Sequence, residues 1–184
     1  MFSTQNLEQE HRIIERVLNS LEIAAQKLGE GKPVSPNTFN KFLDFIKNFA
    51  DSCHHGKEED NLFPVLEKFG VPKEGPIGVM LLEHDQGRSF VKGMSDAVKK
   101  YASGETQAKE DIVKNARGYV NLLSQHIPKE DNILYPMANR ALPQEEDQKL
   151  AKRFEEVEEK IMGKGKHEYY VNLAQDLEKE VKEL

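Results

Sequence analysis

The sequence has a single cysteine, Cys53, so no disulfide can close within the chain, and this usage suits a reducing cytoplasm. It lacks any run of about 18 apolar residues, which excludes a membrane-spanning helix. The N-terminal stretch MFSTQNLEQEHRII reaches a charge by Glu8 and contains no apolar core of the signal-peptide kind. Positive charge is in the minority, with Lys+Arg 26 against Asp+Glu 32 and a net charge of -6. No Lys/Arg-rich stretch with interleaved aromatics occurs, and an acidic chain repels phosphate backbones, so neither nucleic acid nor membrane is expected as a partner. Nothing alternates with the two-residue period of a strand. What remains is 184 residues, enough for one domain that buries roughly 70% of its unfolded surface and can enclose a polar site.

Glycine and proline punctuate the chain. Breakers at Gly29-Glu30-Gly31-Lys32-Pro33, at residues 70–76, at Ser103-Gly104-Glu105-Thr106 and at Leu142-Pro143 separate four long segments of helical periodicity. The first carries Leu7, Ile14, Leu18, Leu21, Ala25 and Leu28 on one stripe. The second follows Ser35-Pro36, an N-cap with proline at the first helical position, and carries Phe39, Phe42, Ile46 and Phe49. The third carries Ile77, Met80, Leu81, Phe90, Val91, Met94 and Val98 before the stop at Gly104. The fourth, with Thr106 as its expected cap, carries Ile112, Ala116, Tyr119, Val120, Leu123 and Ile127. Four helices with short connections give an all-α, antiparallel up-down-up-down four-helix bundle over residues 1–142. Residues 143–184 add two shorter amphipathic helices, one striped by Leu150, Phe154, Val157 and Ile161, the other by Tyr170, Leu173, Leu177, Val181 and Leu184. These stripes fit either the bundle itself or a partner surface.

The histidines carry the chemistry. His54 and Glu58 stand four apart in the second segment, as His126 and Glu130 do in the fourth, and both pairs are offset by 72 residues. Glu10-His11 and Glu83-His84, in the first and third segments, are offset by 73. The chain is therefore an internal repeat of a helix pair with its polar residues in register. Residues four apart share a helix face, so each His-Glu pair points an imidazole and a carboxylate the same way. Four imidazoles and two carboxylates then face one interior. Unpartnered buried carboxylates cost several kcal/mol each, and bridged cations remove that cost. With two histidines per metal, two bridging carboxylates and a bridging oxide or hydroxide, each metal has five ligands and an octahedral ion keeps one open position. The ligand types suit iron, manganese or zinc, and a paired site in a carboxylate-rich bundle favours iron or manganese over a tetrahedral structural zinc.

Other polar residues have plainer readings. His167 has no repeat partner and reads as an ordinary helix histidine. His55 and Glu59 form a second four-apart pair, but residue 127 is Ile, so the His54/Glu58 frame is preferred. Cys53 reads as core. Glu15 and Arg88, each four residues after its histidine, are candidates to pair with each other; Tyr119 is either a core residue or a donor behind the ligands. Pro64 and Pro136 are expected to kink their helices just beyond the site.

At these residues the chain resembles the hemerythrin-like HHE cation-binding domains. The shared pattern is His54-x-x-x-Glu58 with Leu62-Phe63-Pro64, His126-x-x-x-Glu130 with Leu134-Tyr135-Pro136, and the pairs Glu10-His11 and Glu83-His84, over roughly residues 4–140. The resemblance implies two iron ions with His11, His54, His84 and His126 as terminal ligands and Glu58 and Glu130 as bridges. Oxygen-carrying hemerythrins have a further histidine on the third helix where this chain has Met80. With four histidines, both irons keep an open position, which points to binding or sensing of oxygen, nitric oxide or peroxide, or to iron handling, more than to oxygen storage. A redox partner protein would belong to such a role. The alternatives are an interaction bundle whose metal only stabilises the fold, and a zinc or manganese hydrolase-like site. A ferritin-like Glu-x-x-His pattern fits at Glu8 and His11 but fails at His84 and His126, which are preceded there by Leu81 and Leu123.

Overall fold

The computed structural model describes residues 1–163 and 165–184, and among these all regular structure is helical. Helix α1 is Phe2–Gly29. Helix α2 occupies residues 36–68: it starts as regular α-helix over Pro36–Phe45, widens into π-type turns over Ile46–His55 and Glu58–Leu62, and closes as Phe63–Lys68. Helix α3 is Gly78–Ala102. Helix α4 occupies residues 108–141, regular over Ala108–Lys129, wide over Glu130–Leu134 and regular again over Tyr135–Ala141. Helix α5 (Gln144–Val157, extended by a wide turn Glu158–Met162) and helix α6 (Lys166–Lys182) follow.

The ends obey local chemistry. Ser35 Oγ accepts the Asn37 N–H at 3.1 Å and Pro36 occupies the first turn, where its missing N–H costs nothing. Thr106 does not cap α4. A tighter turn there, with the Ala108 N–H bonded to the Glu105 carbonyl at 3.1 Å, delays the helix to Ala108. The start of α1 is held from afar. Asp147 of α5 accepts the N–H groups of Phe2 and Ser3 at 3.0 and 3.1 Å, and the Ser3 hydroxyl as well. A carboxylate at a helix N-terminus satisfies free donors and opposes the dipole.

Pro64 and Pro136 act inside the site, not beyond it. A proline ring crowds the carbonyl four residues earlier and donates no hydrogen bond. Just before each proline the helix runs as a wide turn that begins at a glutamate: the Phe63 N–H reaches the Glu58 carbonyl, and the Tyr135 N–H reaches that of Glu130. Wide turns of this type favour functional sites because they re-aim side chains without ending the helix.

Around the antiparallel bundle, α1 packs on α4, α4 on α3 and α3 on α2. The crossing of α3 and α4 is close enough that a Cβ at Gly118 would collide with the Phe90 ring. Between α1 and α2 lies α6, which sends Tyr170, Ala174, Leu177 and Val181 into the main core beside Phe42, Phe45 and Phe49. Helix α5 covers the other end, where Leu150 and Phe154 join Leu7, Leu62, Phe63, Leu66, Leu134 and Tyr135. Each such side chain contributes about 1.5–3 kcal/mol on burial. The two apolar clusters leave a layer between them on α1 to α4, bounded by Leu7 and Ile14 on α1. Every sequence-predicted ligand falls in that layer.

Candidate metal centre

The register of α1 to α4 delivers His11, His54, Glu58, His84, His126 and Glu130 to one buried point, each no more than 1% exposed. Glu130 Oε2 lies 3.2 Å from Nε2 of both His11 and His126. Glu58 Oε2 lies 3.5 Å from His84 Nε2 and 3.7 Å from His54 Nε2. The Nε2 atoms of His84 and His126 are 3.1 Å apart.

The outward ring nitrogens are all engaged by carboxylates. His11 Nδ1 meets Asp131 at 2.6 Å, His54 Nδ1 meets Glu10 at 3.0 Å, His84 Nδ1 meets Glu59 at 2.7 Å and His126 Nδ1 meets Glu83 at 2.9 Å. Each carboxylate is in turn held by a cation: Arg12 on Asp131, Lys57 on Glu10, Arg88 on Glu59 and Lys129 on Glu83. With Nδ1 tied outward, Nε2 is the nitrogen presented inward.

Inside this ring the accounting fails without a cation. Glu58 Oε2 and both Glu130 oxygens are buried with no hydrogen-bond partner. Burial, with Glu130 beside it, pushes the Glu58 carboxyl well above the usual range. Burial pushes Glu130 up too, but the facing imidazoles of His126, His11 and His84 hold it far below. Burial lowers His11, yet Asp131 and Glu130 raise it to about 9. Burial drives His54 well below its ordinary value. Protons are thus distributed unevenly over a set of converging acceptors, which is what metal ions of charge two or three would replace. The donor set of imidazole and carboxylate fits iron, manganese or zinc. Cys53 takes no part: it is buried in the core, and burial pushes its thiol up to about 12.

The Hemerythrin HHE cation binding domain profile matches residues 3–138. The chain belongs to that family. An uncharacterized protein of Mycobacterium tuberculosis is 22% identical over 175 residues, spanning 95% of this chain and 68% of the relative. The iron-sulfur cluster repair protein YtfE of Salmonella schwarzengrund is 30% identical over 120 residues, covering 61% of this chain and 52% of YtfE.

In this HHE domain several residues stand where sequence spacing did not put them. His55, set aside on the repeat frame, is buried within the layer and its ring stacks on His84 at 3.8 Å between centroids. The one signal for it was its own four-apart partner, Glu59, and that residue turns out to back His84. Tyr135, seen only as part of a signature, places its hydroxyl 2.7 Å from Glu58 Oε1 and 3.4 Å from His11 Nε2. The backing carboxylates on α1 and α3 were visible as Glu10-His11 and Glu83-His84, but each serves the histidine of a neighbouring helix. Arg88 and Glu15 do not meet: Arg88 binds Asp51, Asp85 and Glu59, and Glu15 pairs with Arg12. Tyr119 is buried in the core and lines a cavity of about 410 Å³ together with His55 and His84. His167 stays outside the ring, 3.9 Å from Glu10. Met80 is buried in the apolar cluster under α5. No helix among the described residues is long and apolar enough to cross a membrane.

Proposed function

We propose that this HHE domain is a cytoplasmic non-haem di-iron protein that binds or senses a small ligand, oxygen, nitric oxide or peroxide. His11, His54, His84 and His126 are its terminal ligands and Glu58 and Glu130 its bridges. The observation that carries the reading is the set of three orphaned carboxylate oxygens facing four inward imidazole nitrogens. An iron pair held there supplies reversible binding and electron transfer to a diatomic or peroxide ligand. The residues supply the rest. Carboxylates on each Nδ1 fix the ring orientations, and the cations behind them keep those carboxylates ionised. The apolar clusters above and below exclude water, which strengthens the fields inside. The Tyr135 hydroxyl is a donor within reach of the layer. Residues 1–142 form the metal-binding bundle and residues 143–184 its helical extension.

The test is optical. Iron-loaded, reduced protein exposed to oxygen or nitric oxide should change its absorption spectrum. A spectrum indifferent to both would mean that the metal only stabilises the bundle. A second reading, iron handling for other proteins, is favoured by the similarity to a protein named for iron-sulfur cluster repair. It expects iron to pass to an acceptor protein faster than to a chelator of equal affinity.

A further inference from the structure

One face of α3 is basic in a chain whose net charge is -6. Arg88, Lys92, Ser95 and Lys99 recur at spacings of four, three and four residues, so they share a side of the helix. Together with Lys47 of α2 they line the cavity of about 410 Å³. That volume falls within the roughly 300–1,000 Å³ of small-molecule pockets. Part of the lining is apolar: Ile46, Val91 and Tyr119 are buried, and Gly87 adds no side chain to the wall.

The charges in this lining do not cancel. Its two acids are both engaged, Asp51 by Arg88 at 2.9 Å and by His55 Nδ1 at 3.3 Å, and Asp96 by Lys99 at 3.3 Å. Lys47 reaches across from α2 to Ser95 Oγ at 3.3 Å, and Lys92 stands one turn before that serine. Among the described residues neither lysine has a carboxylate within 4.0 Å. Deeper in the fold, Tyr119 is 2% exposed, yet its hydroxyl makes no hydrogen bond to a described residue. Burial and the nearby Asp51 charge raise it, so it keeps its proton and remains a donor. A buried polar group without a partner calls for one.

Apolar walls, two unspent ammonium groups and an unspent buried donor describe one kind of occupant. We propose that this cavity binds a small aromatic monocarboxylate that carries a hydroxyl or keto oxygen on its ring system. The flat body lies against Ile46, Val91 and Tyr119, its oxygen accepts from the Tyr119 hydroxyl, and its carboxylate meets Lys47 and Lys92. None of these contacts uses Glu58 or Glu130, so the inference stands apart from the di-iron reading.

The test uses full-length protein as purified, titrated with 6-hydroxy-2-naphthoate. The chain has no tryptophan, so the emission of this probe reports binding directly, and calorimetry gives the stoichiometry. The expected result is saturable binding of one equivalent per chain. The double variant Lys47→Gln, Lys92→Gln should bind about tenfold more weakly, the loss of a hydrogen bond to a charged group. Both lysines are exposed, and an unchanged far-ultraviolet circular dichroism spectrum checks that this variant is folded. Tyr119→Phe should weaken the hydroxylated probe about tenfold and leave 2-naphthoate, which lacks the hydroxyl, bound as in the native protein. Absence of saturable binding to the native protein, or native affinity for the hydroxylated probe in either variant, would overturn the assignment. The titration of the native protein needs no substitution and stays decisive if a variant fails to fold.

Discussion

Lys57 is fully buried, and an ammonium there is tolerable only because its three donors are spent on Asn6, Glu10 and Glu158 at 2.9, 2.5 and 2.5 Å. Burial lowers its affinity for a proton, but Glu10 more than restores it, so the group stays charged. Glu10 passes the arrangement to His54. Lys57→Met strands a buried carboxylate and should cost about 3–5 kcal/mol in urea denaturation. It should also weaken iron binding about 10–100-fold, since His54 loses its orientation. Unchanged iron affinity would mean that Lys57 is structural only. At this scale the sequence was a good guide to the inward residues, because chance rarely repeats a polar pair at 72 residues inside two helices. It was a poor guide to what stands behind them. Glu10 sits next to His11 in the chain but serves His54, because adjacent residues point about 100° apart on a helix and only the facing helix lies behind an inward ring.

The elements were legible in outline. The apolar stripes, the Ser35 cap and the glycine stops place six helices. Their irregular turns were not legible, because an apolar stripe reads much the same through a wide turn as through a regular one, and wide turns occur at Ile46–His55 as well as before Pro64 and Pro136. Nor could the stripes on α5 and α6 name what they cover, since an apolar face is the same whether it meets its own bundle or another chain. Asp147 gives α5 a role that no stripe reveals, as the cap of α1. Asp147→Ala should destabilise the protein by about 1–2 kcal/mol in urea denaturation. It should also speed hydrogen exchange in the first turn of α1 more than elsewhere. Uniform exchange rates would show that the cap is not what holds that turn.

For the whole molecule, the centre couples metal, proton and stability. In metal-free protein, Asp131 and Glu130 raise His11 against its burial, from 6.5 to about 9. Against burial too, Glu130 and Glu59 raise His84, and burial raises Glu58. Each of these groups binds a proton more tightly folded than unfolded. The two histidines therefore contribute stability that is complete below pH 6.5 and is lost as the pH rises through their folded values. His54 and His55, which burial lowers, are neutral throughout that window. The melting temperature of metal-free protein should therefore fall between pH 6.5 and 9, while that of metal-loaded protein, whose ligands carry no such protons, should change much less. Parallel pH dependence in the two forms would mean that His11 and His84 do not hold these extra protons in the folded, metal-free protein.

Whether six converging side chains hold a pair of irons is decided by elemental analysis of untagged protein purified without added metal. About two irons per chain are expected, and fewer than two in His84→Ala. One zinc per chain, no metal, or full iron occupancy in His84→Ala would contradict the paired site.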